Sequence, residues 1–184
     1  MRLLPLKKYL WHYMKNKTVS TAINFQYSKT NVIRGAIIYG VGDLIATFIL
    51  NEFSIYRLLG MIFIGATFYA FEVPNVFNWI ERKTTHLLGA KKIVLKTGLA
   101  MAYFNPIWIA RHLLFIKVFS LHFDEIGWNL LEAAWWSFLF NIPISILANY
   151  LIQNKIYLSW RFMASALFSA LMAIYYALSE TIFL

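Results

Sequence analysis

Four ionisable side chains, Asp43, Glu72, Arg111 and Glu132, fall inside long apolar runs of this chain. A charge in such a setting needs a counter-charge, a hydrated cavity or a change of protonation. Asp43 shares a helical stripe with Ala36, Gly40 and Thr47, small residues that let a second helix come close, so it is expected to face the interior. Glu72 shares a stripe with Gly65 and Tyr69. Both carboxylates read as mid-depth groups without a basic partner, either protonated or solvated by a cavity, and both states suit a transport site. The plainer alternative is a protonated carboxyl bonded to a neighbouring helix. Arg111 and Glu132 lie about 8 Å and about 10 Å from the midpoints of their segments, on the same side, given the 1.5 Å rise per residue. An interhelical ion pair between Arg111 and Glu132 is therefore expected, with a structural role.

Three prolines, Pro74, Pro106 and Pro143, are expected inside helices, each near a polar residue: Glu72, Asn105 and Asn141 respectively. Proline removes a backbone hydrogen bond and frees a carbonyl, and broken helices with polar groups at mid-depth are how many transporters build a site. Kinks that merely fit helices together are as frequent. His112 falls on one helical face with Gly98, Ala102 and Asn105, and with no acid a turn away it reads as a hydrogen-bonded histidine at the edge of a lumen. The substrate-binding candidates are thus Asp43, Glu72, Asn105, Asn141 and His112. No nucleophile beside a base, glycine-rich phosphate loop or metal-ligand spacing occurs, so no catalytic residue, metal or cofactor is expected, and the chain does not read as an enzyme.

The elements that must hold these groups are membrane helices. Of 184 residues, 60% are hydrophobic, 18% aromatic and 14% charged, and mean hydropathy is +0.60, more apolar surface than a water-facing domain can cover. Spanning a hydrocarbon layer takes about 20 apolar residues, and five segments reach that length: Val32 to Leu50, Tyr56 to Ile80, Ile93 to Val118, Trp128 to Tyr150 and Leu158 to Leu178. The fold class expected is an all-α polytopic membrane bundle of about five transmembrane helices, residues 31–184 forming one domain. The charge of +9 comes mostly from Lys and Arg between the spans: fourteen of seventeen fall on one side of the alternating topology. This asymmetry places the N-terminus on the cytoplasmic or matrix side and makes nucleic acid an unlikely partner. Residues 1–30 lack the order of a secretory signal. Leu3, Leu6, Leu10, Tyr13 and Met14 recur at helical spacing among Lys7, Lys8, Lys15 and Lys17, which reads as an amphipathic helix in the interface. The absence of Cys excludes disulfides and thiolate metal sites.

An internal echo joins the second and fourth spans. Phe71-Glu72-Val73-Pro74 followed by Asn78 to Lys83 is matched by Phe140-Asn141-Ile142-Pro143 followed by Asn149 to Lys155. It suggests two hairpins in parallel orientation plus a fifth helix.

Gly42-Asp43-Leu44-Ile45-Ala46 resembles the early Gly-Asp motif of the peroxisomal membrane protein and mitochondrial inner-membrane channel-like family. Arg57 with Gly60 and Gly65 resembles its second helix, Lys92 and Pro106 its third, Ile156 to Arg161 its late Val-Pro-Leu-x-x-Arg segment, and Leu178-Ser179 its terminal Leu-Ser. Gly65-Ala66, Lys96-Thr97 and Trp136-Ser137 stand where that family has Gly-Pro, Asp-Gln and Trp-Pro. The third helix, Lys-led and carrying Phe104-Asn105-Pro106, is similar to one in the bacterial L-alanine exporter family, whose Phe-x-x-Pro is one residue longer. Both resemblances imply small-solute movement across a bacterial inner membrane, a mitochondrial inner membrane or a peroxisomal membrane.

The function expected is a translocator or channel for a small polar solute, with its site at mid-depth between hairpins. The alternative is a non-transporting assembly or scaffold subunit whose polar groups serve helix association. Expected partners are the bilayer, anionic lipid at the basic face and the solute, with homo-oligomerisation left open.

Overall fold

The computed structural model describes residues 25–183, so the amphipathic N-terminal segment expected over residues 1–30 lies almost wholly outside the described residues. Every regular element described is helical. We number the α-helices α1 (Lys29–Leu50), α2 (Ile55–Ile64), α3 (Ala70–Thr84), α4 (Gly89–Tyr103), α5 (Pro106–Phe119), α6 (Asn129–Asn154) and α7 (Leu158–Phe183). A π-helical turn, Gly65–Tyr69, joins α2 to α3 in one rod, and a two-residue break joins α4 to α5 in another. Four rods, Lys29–Leu50, Ile55–Thr84, Gly89–Phe119 and Asn129–Asn154, are long and apolar enough to cross a membrane. With α7 they occupy the five segments expected from hydropathy.

The packing is that of a lipid-facing bundle. On α1, Ile33, Ile37, Val41, Ile45 and Phe48 form one stripe, each 43% to 64% exposed, while Asp43, Arg57, Lys96, Asn149, Gln153 and Arg161 are buried. A soluble domain reverses that order, because water rewards exposed polar groups. In hydrocarbon the polar groups have to satisfy one another, which draws them inward.

Side-chain caps set the first turns. Ser28 Oγ accepts from the Asn31 backbone N–H at 3.1 Å and Ser54 Oγ from that of Arg57 at 3.4 Å, taking up N–H groups that a helix start leaves free. Asn51 closes α1 in the left-handed conformation (φ 57°), which lets the chain turn within four residues into α2. In the loop after α5, Lys117 and His122 both face Glu125 and hold its carboxyl below the usual range, the Lys117 hydrogen bond contributing most.

Alpha1 is the hub, packed most extensively on α7 and also on α2, the π turn and α3, while α6 packs on α4 and α5. The approach of α1 to the π turn is backbone on backbone: a Cβ on Gly35 would stand 2.1 Å from the Gly65 carbonyl oxygen, and one on Gly65 would stand 2.4 Å from that of Gly35. Gly42 does the same for α7, where an added Cβ would lie 2.6 Å from Ala170 Cβ. Small residues permit this proximity, and dispersion between the helices then holds it. The small-residue stripe expected on α1 makes a close contact through Gly40, where an added Cβ would stand 2.6 Å from Ile62 Cγ1, and Gly35 and Gly42 add close contacts off that stripe.

The π turn shifts the register of the second rod. The Ala70 N–H reaches back five residues to the Gly65 carbonyl, and the Ala66 carbonyl accepts from the Tyr27 hydroxyl at 2.8 Å. Pro74 and Pro143 lie inside α3 and α6 as expected, whereas Pro106 does not interrupt a helix. It opens α5, where its missing N–H costs nothing, and Asn105 before it is extended (ψ 177°), the conformation a residue preceding proline prefers.

Gly35→Ala should lower the melting temperature of the detergent-solubilised protein, the clash costing about 1–3 kcal/mol, the usual range for overpacking. Gly98→Ala, with nothing within 4 Å of the added methyl, should be neutral or slightly stabilising. Equal melting temperatures for the two variants would contradict the Gly35–Gly65 contact.

Candidate functional site

Asp43 and Glu72 are each held by an arginine. Asp43 on α1 is clasped by Arg57 of α2, with Nε at 2.9 and 3.2 Å from the two carboxylate oxygens and Nη2 at 2.9 Å from Oδ1. Both side chains are buried, at 4% and 7% exposure. Glu72 on α3 receives Arg111 of α5 in a fork, Nη1 at 3.1 Å from Oε1 and Nη2 at 2.7 Å from Oε2. Two expectations are corrected here. Asp43 and Glu72 do have basic partners, and Arg111 pairs with Glu72 rather than Glu132, which is exposed on α6.

The reasons lie in reach and register. Asp43 is seven residues from the end of α1 and Arg57 two residues into α2, a depth difference of about 7 Å that a long guanidinium stem spans. Arg57 therefore bends inward from the loop instead of lying on the surface. For Arg111, the break before Pro106 re-aims α5 against α2, and the π turn rotates Glu72 toward it; straight, ideal helices cannot anticipate either. A forked guanidinium–carboxylate pair is also the strongest polar contact available to the two groups.

A third cluster escaped the sequence reading altogether. Glu81 at the end of α3 accepts from Lys96 Nζ of α4 at 2.6 Å and Arg161 Nη1 of α7 at 2.8 Å, with Lys92 Nζ at 4.0 Å. One carboxylate thereby joins three rods. Nothing in linear spacing relates residues 81, 96 and 161, so neither the charge asymmetry nor the family resemblance brings Lys96 and Arg161 to Glu81.

The polar residues that do surround open space are on α5, α6 and α7. A cavity of about 70 Å³ lies between these helices, with His112, Asn141, Ser145, Asn149, Ser165 and Ser169 giving it hydrogen-bonding groups. Phe104, Trp108, Phe138 and Phe168 form its apolar wall. By its volume it holds a few waters or one solute of a few heavy atoms. Asn141 and Asn149 each donate Nδ2 to the carbonyl four residues back, at 2.8 Å from Ser137 and 2.9 Å from Ser145, which fixes the amides along the helix. His112 lies parallel to the Trp108 ring at a 4° interplanar angle, and its Nδ1 is 2.9 Å from the Tyr69 hydroxyl.

Of the five substrate-binding candidates, the structure brings His112 and Asn141 to this cavity. Asp43 and Glu72 are held in their ion pairs. Asn105 works as a cap: its Oδ1 accepts from the Trp108 backbone N–H at 3.1 Å and its Nδ2 donates to the Ala102 carbonyl at 3.0 Å, binding the two ends of the helix break together. Ser145, Asn149, Ser165 and Ser169 were missed, although their four-residue spacing on two adjacent helices was a readable signal. Among the described residues no group of His, Asp and Glu is arranged to hold a metal ion.

No family model, curated protein or solved structure matches the chain.

Asp43→Asn should destabilise the solubilised protein by about 3–5 kcal/mol, because it leaves the buried Arg57 charge only the exposed Glu52 carboxylate, 3.8 Å away. The double substitution Asp43→Leu with Arg57→Leu should recover most of that loss, since the desolvation cost of both ions goes with them. Thermal unfolding in detergent reads the two directly; a double variant no more stable than the single one would refute the pairing.

Proposed function

We propose that this protein is a small helical membrane translocator or channel for a small polar solute, and that the cavity between α5, α6 and α7 is its mid-membrane site. The observation that supports this most is a cluster of amides and hydroxyls around open space in a bundle whose outside is apolar. Polar groups at that depth are costly unless they meet one another or a solute. The break at Phe104 and Asn105 borders the cavity through Phe104 and Trp108, and supplies the interrupted helix that transporters use to move one part of a site against another. Rocking of α5 about this break, with α6 following, would open the cavity first to one side and then to the other. The resemblance to the peroxisomal and mitochondrial channel-like family, and to the alanine exporters, points the same way. The charge asymmetry supports a basic end, with Arg82, Lys83 and Lys91 exposed, on the cytoplasmic or matrix side against anionic lipid.

A second reading is favoured by the ion pairs. Asp43, Glu72 and Glu81 all serve contacts between helices, as they would in an assembly subunit that moves nothing. The two readings separate in one experiment. Purified full-length protein in sealed liposomes should pass at least one member of a panel of small neutral and charged solutes faster than protein-free vesicles, and Asn141→Leu should remove most of the increment. Vesicles as tight as the protein-free control across the panel, with a partner protein co-purifying in fixed ratio, would support the assembly subunit instead.

A further inference from the structure

Asn141, Ser145, Asn149 and Gln153 stand exactly four residues apart on α6, which makes them one ridge of the helix about 18 Å long at 1.5 Å per residue. The first three line the cavity. Gln153 continues the ridge one turn toward the basic end; it is completely buried, and neither its amide oxygen nor its amide nitrogen meets a hydrogen-bond partner. An orphaned amide in a packed interior is rare because its desolvation goes uncompensated. Facing the ridge from α7 are Ser165 and Ser169, again four residues apart, and from α5 His112.

What the lining omits is as informative as what it contains. No Asp, Glu, Lys or Arg is among the described residues around the cavity. The charges nearest in the bundle are locked pairwise, Glu72 with Arg111 and Asp43 with Arg57. An ion entering would have to give up its hydration to neutral dipoles alone, among four aromatic rings. An uncharged molecule loses far less by the same transfer, and each hydrogen bond it leaves behind in water can be remade with an amide or a hydroxyl.

We infer that the Asn141–Ser145–Asn149–Gln153 ridge, with Ser165 and Ser169 opposite, is a conduit selective for uncharged hydrogen-bonding solutes of a few heavy atoms, of the urea and glycerol class, and that it excludes ions. The inference rests on the translocator reading and names its substrate class. The amides present both donors and acceptors, as amide and polyol solutes require. Phe104, Trp108, Phe138 and Phe168 cover the apolar parts of such a molecule. Gln153 is the next hydrogen-bonding station on the way out, and the passing solute supplies the partner that the protein does not.

The test is a flux comparison on purified full-length protein in phosphatidylcholine liposomes. Stopped-flow light scattering should show urea and glycerol entering about tenfold faster than in protein-free vesicles, while potassium and chloride fluxes stay at the protein-free level. Asn149→Leu and Gln153→Leu should each reduce the urea increment by about tenfold. If Asn149→Leu does not fold, as judged by its circular dichroism, Ser165→Ala carries the same test with a smaller reduction. Potassium or chloride flux comparable to that of urea overturns the inference and leaves the translocator reading standing, as does urea flux insensitive to Asn149, Gln153 and Ser165. Vesicles closed to every probe overturn both.

Discussion

Three carboxylates, Asp43, Glu72 and Glu81, each meet a cation from another helix, and the bundle is arranged around how each finds it. Arg57 comes to Asp43 across the first hairpin, Arg111 comes to Glu72 from the third rod, and Lys96 and Arg161 come to Glu81 from the third rod and from α7. Each pair also fixes a depth relation between two helices, because a guanidinium fork fits a carboxylate in few geometries. Hydrophobic burial cannot do this in a bilayer, where lipid tails are as apolar as leucine. What remains to define the packing is close backbone contact and polar pairing. The Gly35–Gly65 approach supplies the first, and these three clusters supply the second.

The irregular parts of the helices follow from the same requirement. The π turn at Gly65–Tyr69 places Gly65 against α1, directs Tyr69 to His112 and turns Glu72 toward Arg111. Its loosened backbone is made good locally, with the Thr67 hydroxyl donating to the Phe63 carbonyl at 2.6 Å and the Tyr27 hydroxyl to that of Ala66. The break between α4 and α5 is likewise closed by the two hydrogen bonds of Asn105. Departures from ideal geometry in a membrane are thus paired with side chains that satisfy the freed groups.

With the ions assigned to packing, the neutral polar residues stand apart. Asn141, Ser145, Asn149, Ser165 and Ser169 border the cavity between α5, α6 and α7, and no charged residue does. Among the described residues, the buried charges thus serve contacts between helices, while neutral amides and hydroxyls line this cavity.

How much was legible in the sequence depends on the range of the interaction. Composition and run length determined the helical class, the five segments and the inward placement of Asp43, because a span of about 20 apolar residues and the cost of a charge in lipid are properties of one helix at a time. His112, read from its helical face with Gly98, Ala102 and Asn105, and Asn141, read as the polar neighbour of Pro143, both line the cavity. The partners were not legible. Arg111 takes Glu72 instead of Glu132, Asn105 caps a break instead of facing a solute, and Glu81 gathers cations from two other rods, and each outcome turns on a π turn, a helix break or the choice of neighbouring rods. Those features rotate and displace whole helices relative to one another, so only the tertiary structure could decide which polar groups meet and which are left facing a cavity.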